Sequence, residues 1–187
     1  MTAMRQQLLA CLVLVLLAVL GPPAVAQDAQ VSESDLKSAF LFNFTKFVEW
    51  PAEAFPGEDA PVVVGVYGDE AFTATLRALL ADKKAHGRPF SVKRLVNPAD
   101  ARTCQIIYFR ENETRKMGTV YEAIKKLPVL TVGESDDFLD LGGMFNLFFE
   151  DKQLRFEVSP ATAENAKLTV SSKLLRLAKN IRKGGAK

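Results

Sequence analysis

The stretch Val62-Val63-Val64-Gly65-Val66-Tyr67-Gly68-Asp69, continued by Ala71–Lys84, decides the fold class. Val62–Tyr67 carries no charge, and consecutive side chains of a strand point to opposite faces, so the run predicts a strand buried on both sides. Beyond Asp69 the period changes, with Phe72, Leu76, Leu79 and Leu80 at helical spacing. A doubly buried strand feeding straight into a helix is the opening of a parallel βαβ unit.

The same alternation continues outward. Downstream, His86-Gly87-Arg88-Pro89 reads as a turn, and Phe90–Val96, Cys104–Phe109 and Pro128–Val132 read as further strands. Glu113–Lys126 reads as a helix through Met117, Val120, Tyr121 and Ile124. Met144–Phe149 and Gln153–Val158 form a hairpin at the sheet edge, turning near Glu150–Lys152. Leu154, Phe156 and Val158 alternate there with Arg155 and Glu157, so one face of that strand is wet. Pro160–Asn165 starts a short helix, Leu168–Val170 is extended, and Ser171 or Ser172 caps a last helix. Upstream, Ser34–Trp50 is a helix capped by Ser32 or Ser34 and ended by Pro51. Leu36, Ala39, Phe40, Phe44, Phe47 and Val48 share its apolar face, while Phe42 falls on the polar side near Lys46 and Glu49. A Phe in that position marks an intersubunit or partner contact. The expected fold is a single-domain α/β sandwich: a mixed, largely parallel sheet of about six strands flanked by helices, with a C-terminal hairpin and helix.

Composition narrows function. The chain has 187 residues, 24 Lys+Arg against 22 Asp+Glu, one His and two Cys. A net charge of +2 gives no bulk basic field for nucleic acid. One His and two Cys exclude multi-His and Cys-rich metal centres. At the N-terminus, Arg5 precedes the apolar run Leu8–Leu20, Gly21-Pro22-Pro23 breaks it, and Ala24-Val25-Ala26 offers a small-x-small cleavage site. Residues 1–26 therefore read as a cleaved signal peptide, because the run is too short to span a bilayer, and residues 27–187 as the exported domain. Cleavage leaves Cys104 as the only thiol, a small buried hydrophobe in an apolar strand.

Candidate chemistry is sparse. His86 sits in a polar turn without an acidic partner, and there is no Gly-x-Ser-x-Gly elbow, so a triad hydrolase has no support. Asp136-Asp137 and Glu150-Asp151 are carboxylate pairs in turns, where Asp caps helices and bends chains. The loops at Gly68-Asp69 and Gly133 follow strands, where an α/β sheet can hold a small ligand; a binding protein using them is the alternative reading. From Asn165 to Lys187 there are seven basic residues and no acid. On the expected last helix Leu174, Leu177, Ala178 and Ile181 form the buried stripe, and Leu175 stands apart between Lys179 and Arg182.

Several motifs, in order, carry a resemblance. They are Ser38-Ala39-Phe40-Leu41-Phe42-Asn43-Phe44-Thr45-Lys46-Phe47-Val48-Glu49-Trp50-Pro51, Val64-Gly65-Val66-Tyr67-Gly68-Asp69, Gly87-Arg88-Pro89 and Pro128-Val129-Leu130-Thr131-Val132-Gly133. Gly142-Gly143-Met144-Phe145-Asn146, Leu154-Arg155-Phe156-Glu157 and Ser171-Ser172-Lys173-Leu174-Leu175-Arg176-Leu177-Ala178 complete the set. Together they resemble the YfiR-type periplasmic proteins. The resemblance implies a non-enzymatic repressor without cofactor or metal, which binds the periplasmic region of an inner-membrane diguanylate cyclase. Release raises cyclic di-GMP and favours biofilm and exopolysaccharide. It also implies a homodimer, an outer-membrane lipoprotein as competing partner, and a partner pocket at Pro160, Ala163, Val170, Ser172 and Leu175. One departure is plain: the namesake's disulfides need several cysteines, and the exported chain has only Cys104.

Overall fold

The computed structural model describes residues 31–182, so the signal-peptide reading of residues 1–26 lies outside the described residues. Helix α1 (Glu33–Phe47) starts at a reciprocal cap: Ser32 Oγ accepts from the Asp35 amide, and the Asp35 carboxylate accepts from the Ser32 amide. It ends before the expected Trp50 because Val48–Glu49 is a short strand, β1, paired antiparallel with β9 (Thr169–Val170). The elements between them are β2 (Val62–Tyr67), α2 (Glu70–Leu80), β3 (Lys84–Ala85), β4 (Arg88–Arg94), β5 (Ile106–Phe109), α3 (Met117–Ile124), β6 (Leu130–Gly133), β7 (Phe145–Glu150), β8 (Gln153–Val158) and α4 (Pro160–Asn165). After β9 come α5 (Ser172–Leu175) and β10 (Asn180–Ile181).

The main sheet has eight strands in the order β10-β8-β7-β6-β5-β2-β4-β3. Neighbours from β4 to β7 are parallel, β7 and β8 form the antiparallel hairpin, and β10 lies parallel to β8. The two strands beyond the expected six are the two-residue edges β3 and β10. Helices cover both faces, which is why the strands read as apolar runs. Val62, Val64 and Val66 pack with Phe72, Leu76 and Leu80 of α2 and with Leu41 and Phe44 of α1. On the other face Tyr67, Ile107 and Phe109 pack with Met117, Val120 and Ile124 of α3. Gly65 is small because an added Cβ would stand 2.5 Å from Leu95 Cδ1 and 2.8 Å from Cys104 Sγ. Cys104 is thereby explained as packing: it is buried, and burial pushes its thiol pKa up, so it stays an inert thiol.

The turns obey their backbone chemistry. His86 and Gly87 both take positive φ, 50° and 82°, joining Ala85 to Arg88 in a two-residue hairpin, so β4 begins at Arg88, earlier than expected. Asp151 and Lys152 do the same, with φ of 50° and 61°, between β7 and β8.

The C-terminal segment corrects the helical reading. The last helix stops at Leu175, and the Lys179 and Arg182 amides donate to the carbonyls of Phe156 and Val158. The free edge of β8 satisfies backbone groups that one further helical turn would satisfy no better, so the chain joins the sheet. Of the expected buried stripe only Leu174 is fully buried, and Leu177 is 68% exposed and Ile181 47% exposed. Leu175, which stands apart from that stripe, is half-buried against the main core. Phe42 is half-buried, edge-on to Phe90 at 6.0 Å, with the Lys46 and Lys83 ammonium groups over its ring at 4.2 and 5.5 Å.

Candidate functional site

Two hollows stand out. The first is a polar cleft of about 430 Å³ at the carboxyl ends of β2, β5 and β6. From β2 the chain crosses through α2 to β4 on one side, while β5 lies on the other, so the cleft sits where the strand order reverses. Its walls carry Glu33 and Lys37 from α1, Asp69 after β2, Arg110 and Glu111 after β5, and Glu134 and Asp136 after β6.

At its floor two charged side chains are buried together. Lys37 (side chain 5% exposed) bonds Glu134 (8% exposed) and also Glu33, one helical turn away. The Tyr108 hydroxyl donates to Glu134 Oε1 at 2.6 Å, and Arg110 Nε lies 3.5 Å from the same oxygen and 3.8 Å from Asp69 Oδ2. Burial, with the Glu134 charge beside it, pushes the Tyr108 phenol well above its ordinary pKa. The hydrogen bond from Lys37 holds the Glu33 carboxyl below the usual carboxylate range. Every member of this network is satisfied by another. Lys37 and Glu134 were invisible to periodicity: a lysine on an amphipathic helix and a glutamate after a strand read as surface residues. The one available signal was the position of Glu134 immediately after the Gly133 loop.

The expected ligand loops have structural duties here. Asp69 Oδ1 accepts from the Phe72 amide at 2.7 Å, so the α2 N-terminus is already capped by a carboxylate. The Phe138 ring packs directly on Gly133, occupying the space of a Cβ. Gly68 is likewise overlaid by the Arg110 side chain. With five carboxylates and two cations lining the cleft, a phosphate would meet an excess of three negative charges.

The second hollow is an apolar groove of about 420 Å³. Phe40, Phe44 and Phe47 of α1 and Leu154 and Phe156 of β8 line its floor and sides, with Leu174 and Leu177 beside them. Phe40 meets Phe44 and Phe156 edge-on at 6.1 and 6.3 Å, and Phe44 meets Phe156 at 5.2 Å, so the floor is an interlocked aromatic set. Arg155 is the only charged residue lining it among the described residues. Among the described residues, Arg155, Lys173 and Arg176 are exposed and form no ion pair. Lys167, Lys179 and Arg182 are paired with Glu53, Glu150 and Asp140.

None of the five residues expected at the partner pocket lines this groove. Val170 pairs with Val48, Ser172 begins α5 and is exposed, and Leu175 is half-buried on the same short helix. Pro160 is half-buried at the start of α4. Ala163 is fully buried in the main core. Phe42 points to the other side of α1, against β4. His86 is exposed, and its Nε2 donates to the Thr45 carbonyl at 2.8 Å with Val48 O at 3.2 Å, so it ties the turn to α1. Among the described residues no cluster of three or more His, Cys, Asp or Glu is arranged to hold a metal. No described helix is long and apolar enough to cross a membrane.

Comparison with known proteins adds two findings. A family model described as YfiR/HmsC-like matches residues 34–179, most of the chain. Among solved structures, a conserved domain protein from Vibrio cholerae O1 biovar eltor is similar with a TM-score of 0.49 and 16% identity, over 65% of this chain and 55% of that one. The chain thus spans about half the length of that protein, and a likeness at this level carries no argument about function.

Proposed function

The chain belongs to the YfiR/HmsC-like family, and from that membership we propose that it is a periplasmic regulator of cyclic di-GMP signalling that acts by binding other proteins. The partner in this reading is the periplasmic region of an inner-membrane diguanylate cyclase, which the protein represses as a homodimer. A competing outer-membrane lipoprotein relieves the repression. Two mutually exclusive partners make a switch, since a ligand moves an equilibrium only through its differential affinity.

Beyond the family match, one observation supports the contact reading most: Leu177, 68% exposed and two residues beyond Leu175, lines an aromatic groove. An apolar surface of this kind marks a protein contact more readily than a reaction site.

The test is genetic and physical together. Deleting the gene raises cellular cyclic di-GMP, and restoring the wild type lowers it again. Leu175→Arg and Ser172→Arg accumulate as folded protein yet fail to restore repression. Ser172 is exposed and keeps the test independent of core packing. Undiminished pull-down of the cyclase by both variants overturns the residue assignment, and unchanged cyclic di-GMP on deletion overturns the function.

A further inference from the structure

We propose that the groove between α1, β8 and α5 receives an acidic amphipathic helix of a partner protein, its apolar side chains over the Phe40–Phe44–Phe156 floor and its carboxylates on Arg155, Lys173 and Arg176. The proposal rests on the contact reading above and names the chemistry of the partner at that surface.

Shape is the first argument. The groove is concave, has an aromatic floor, and offers about 420 Å³. A helix presenting apolar residues at i, i+3, i+4 and i+7 spacing fills such a groove, whereas a bilayer surface meets a convex apolar face better.

Charge is the second. Among the described residues no acid lines the groove, Arg155 forms part of its wall, and Lys173 and Arg176 lie in the segment that supplies Leu174 and Leu177. The other described cations of that segment pair within the chain: Lys167 with Glu53, Lys179 with Glu150 and Arg182 with Asp140. Arg155 in the groove wall and Lys173 and Arg176 in the neighbouring segment are thus open to an outside carboxylate, and such complementarity fixes register and partner choice.

Rigidity is the third. The Ser171 amide donates to Phe47 O at 2.8 Å, and the Lys179 amide donates to Phe156 O at 2.8 Å. The segment holding Leu174 and Leu177 is therefore pinned to α1 at one end and to β8 at the other. A wall fixed before binding loses little conformational freedom on docking.

The experiment uses three probes on the full-length exported protein. One is a helical peptide of about sixteen residues with leucines at i, i+3, i+4 and i+7 and glutamates beside them. The second is its lysine-for-glutamate twin, and the third is vesicles of phosphatidylglycerol. The acidic peptide is expected to bind, to weaken as salt rises, and to exceed its basic twin by about tenfold or more. Leu177→Asp and Arg155→Glu/Arg176→Glu should each reduce that binding by about tenfold, and the charge reversal should make the basic twin the better ligand. Circular dichroism and thermal unfolding confirm that these exposed substitutions leave the fold intact. Equal binding of the two peptides, indifference to Leu177→Asp, or binding of vesicles alone overturns the proposal. The regulatory reading is scored separately by cyclic di-GMP after gene deletion, so either can fail while the other stands.

Discussion

The cleft at the ends of β2, β5 and β6 and the groove beside Leu177 are nearly the same size, about 430 and 420 Å³, yet they handle their contents in opposite ways. The cleft buries two charges and then answers each from within the chain: Lys37 with Glu134 and Glu33, Glu134 with Tyr108 and Arg110. The groove assembles aromatic side chains and leaves Leu177 and the neighbouring cations uncovered. A satisfied polar network costs little to keep and a great deal to break, so it defines a unique packing without calling for a ligand. An uncovered apolar patch is the reverse, stable in isolation only because it is small, and improved by anything that covers it.

The largest effect should come from breaking the cleft. Glu134→Ala leaves the buried Lys37 ammonium with only the exposed Glu33 carboxylate and the buried Tyr108 hydroxyl without its acceptor, and is expected to cost about 3–5 kcal/mol in denaturant unfolding. Replacing the buried partners together by apolar residues, Lys37→Met with Glu134→Leu and Tyr108→Phe, should recover most of that loss, because the expense lies in the buried groups left without partners and not in the missing attraction. If the triple replacement is as damaging as the single one, the network does more than hold the fold, and the contrast with the groove fails.

A smaller effect sharpens the same point through pH. Tyr67 is pushed up to about 12 by burial, and Tyr108 is raised well above its ordinary value of 10.0. A phenol whose folded pKa is raised stabilises the fold fully below its unfolded pKa, and that contribution is lost as pH climbs toward the folded value. Stability should therefore be level through neutral pH and fall above about pH 10, where the unfolded chain releases protons that the folded chain retains. Tyr108→Phe should cost about 1–2 kcal/mol at neutral pH, from the lost hydrogen bond to Glu134, and should make the alkaline decline shallower. Alkaline unfolding curves of the two proteins, with ultraviolet titration of tyrosine, check both claims.

How far the sequence could foresee this division follows from what each pattern encodes. The apolar runs at Val62–Tyr67 and Cys104–Phe109, with helical spacing between, made a largely parallel α/β sheet legible. Both faces of those strands meet helices, so burial left its mark on every residue. The buried Lys37–Glu134 pair left none, because charge pairs distant in sequence, 37 and 134, have no period. The C-terminal segment misled for a different reason. Its Leu174, Leu177, Ala178 and Ile181 fit a helical stripe, but the open edge of β8 was a competitor that no local spacing reveals. The error is informative, since the residue wrongly assigned to the core, Leu177, is the one the fold leaves outside.

The smallest expected effect is on stability at that residue, and it separates the two hollows most directly. At 68% exposure the Leu177 side chain gives up little on unfolding, so Leu177→Ser should change the unfolding free energy by no more than about 0.5 kcal/mol. Phe156→Ala on the floor of the same groove, 4% exposed and in contact with Phe40, Phe44 and Phe145, should cost about 3–5 kcal/mol. Two residues lining one hollow then differ several-fold in what they do for the fold, while both contribute to the surface a partner would meet. Paired urea titrations of the two variants read the difference. A large loss at Leu177 would mean that this side chain is part of the core after all, and the groove would lose its claim to be a surface kept for another molecule.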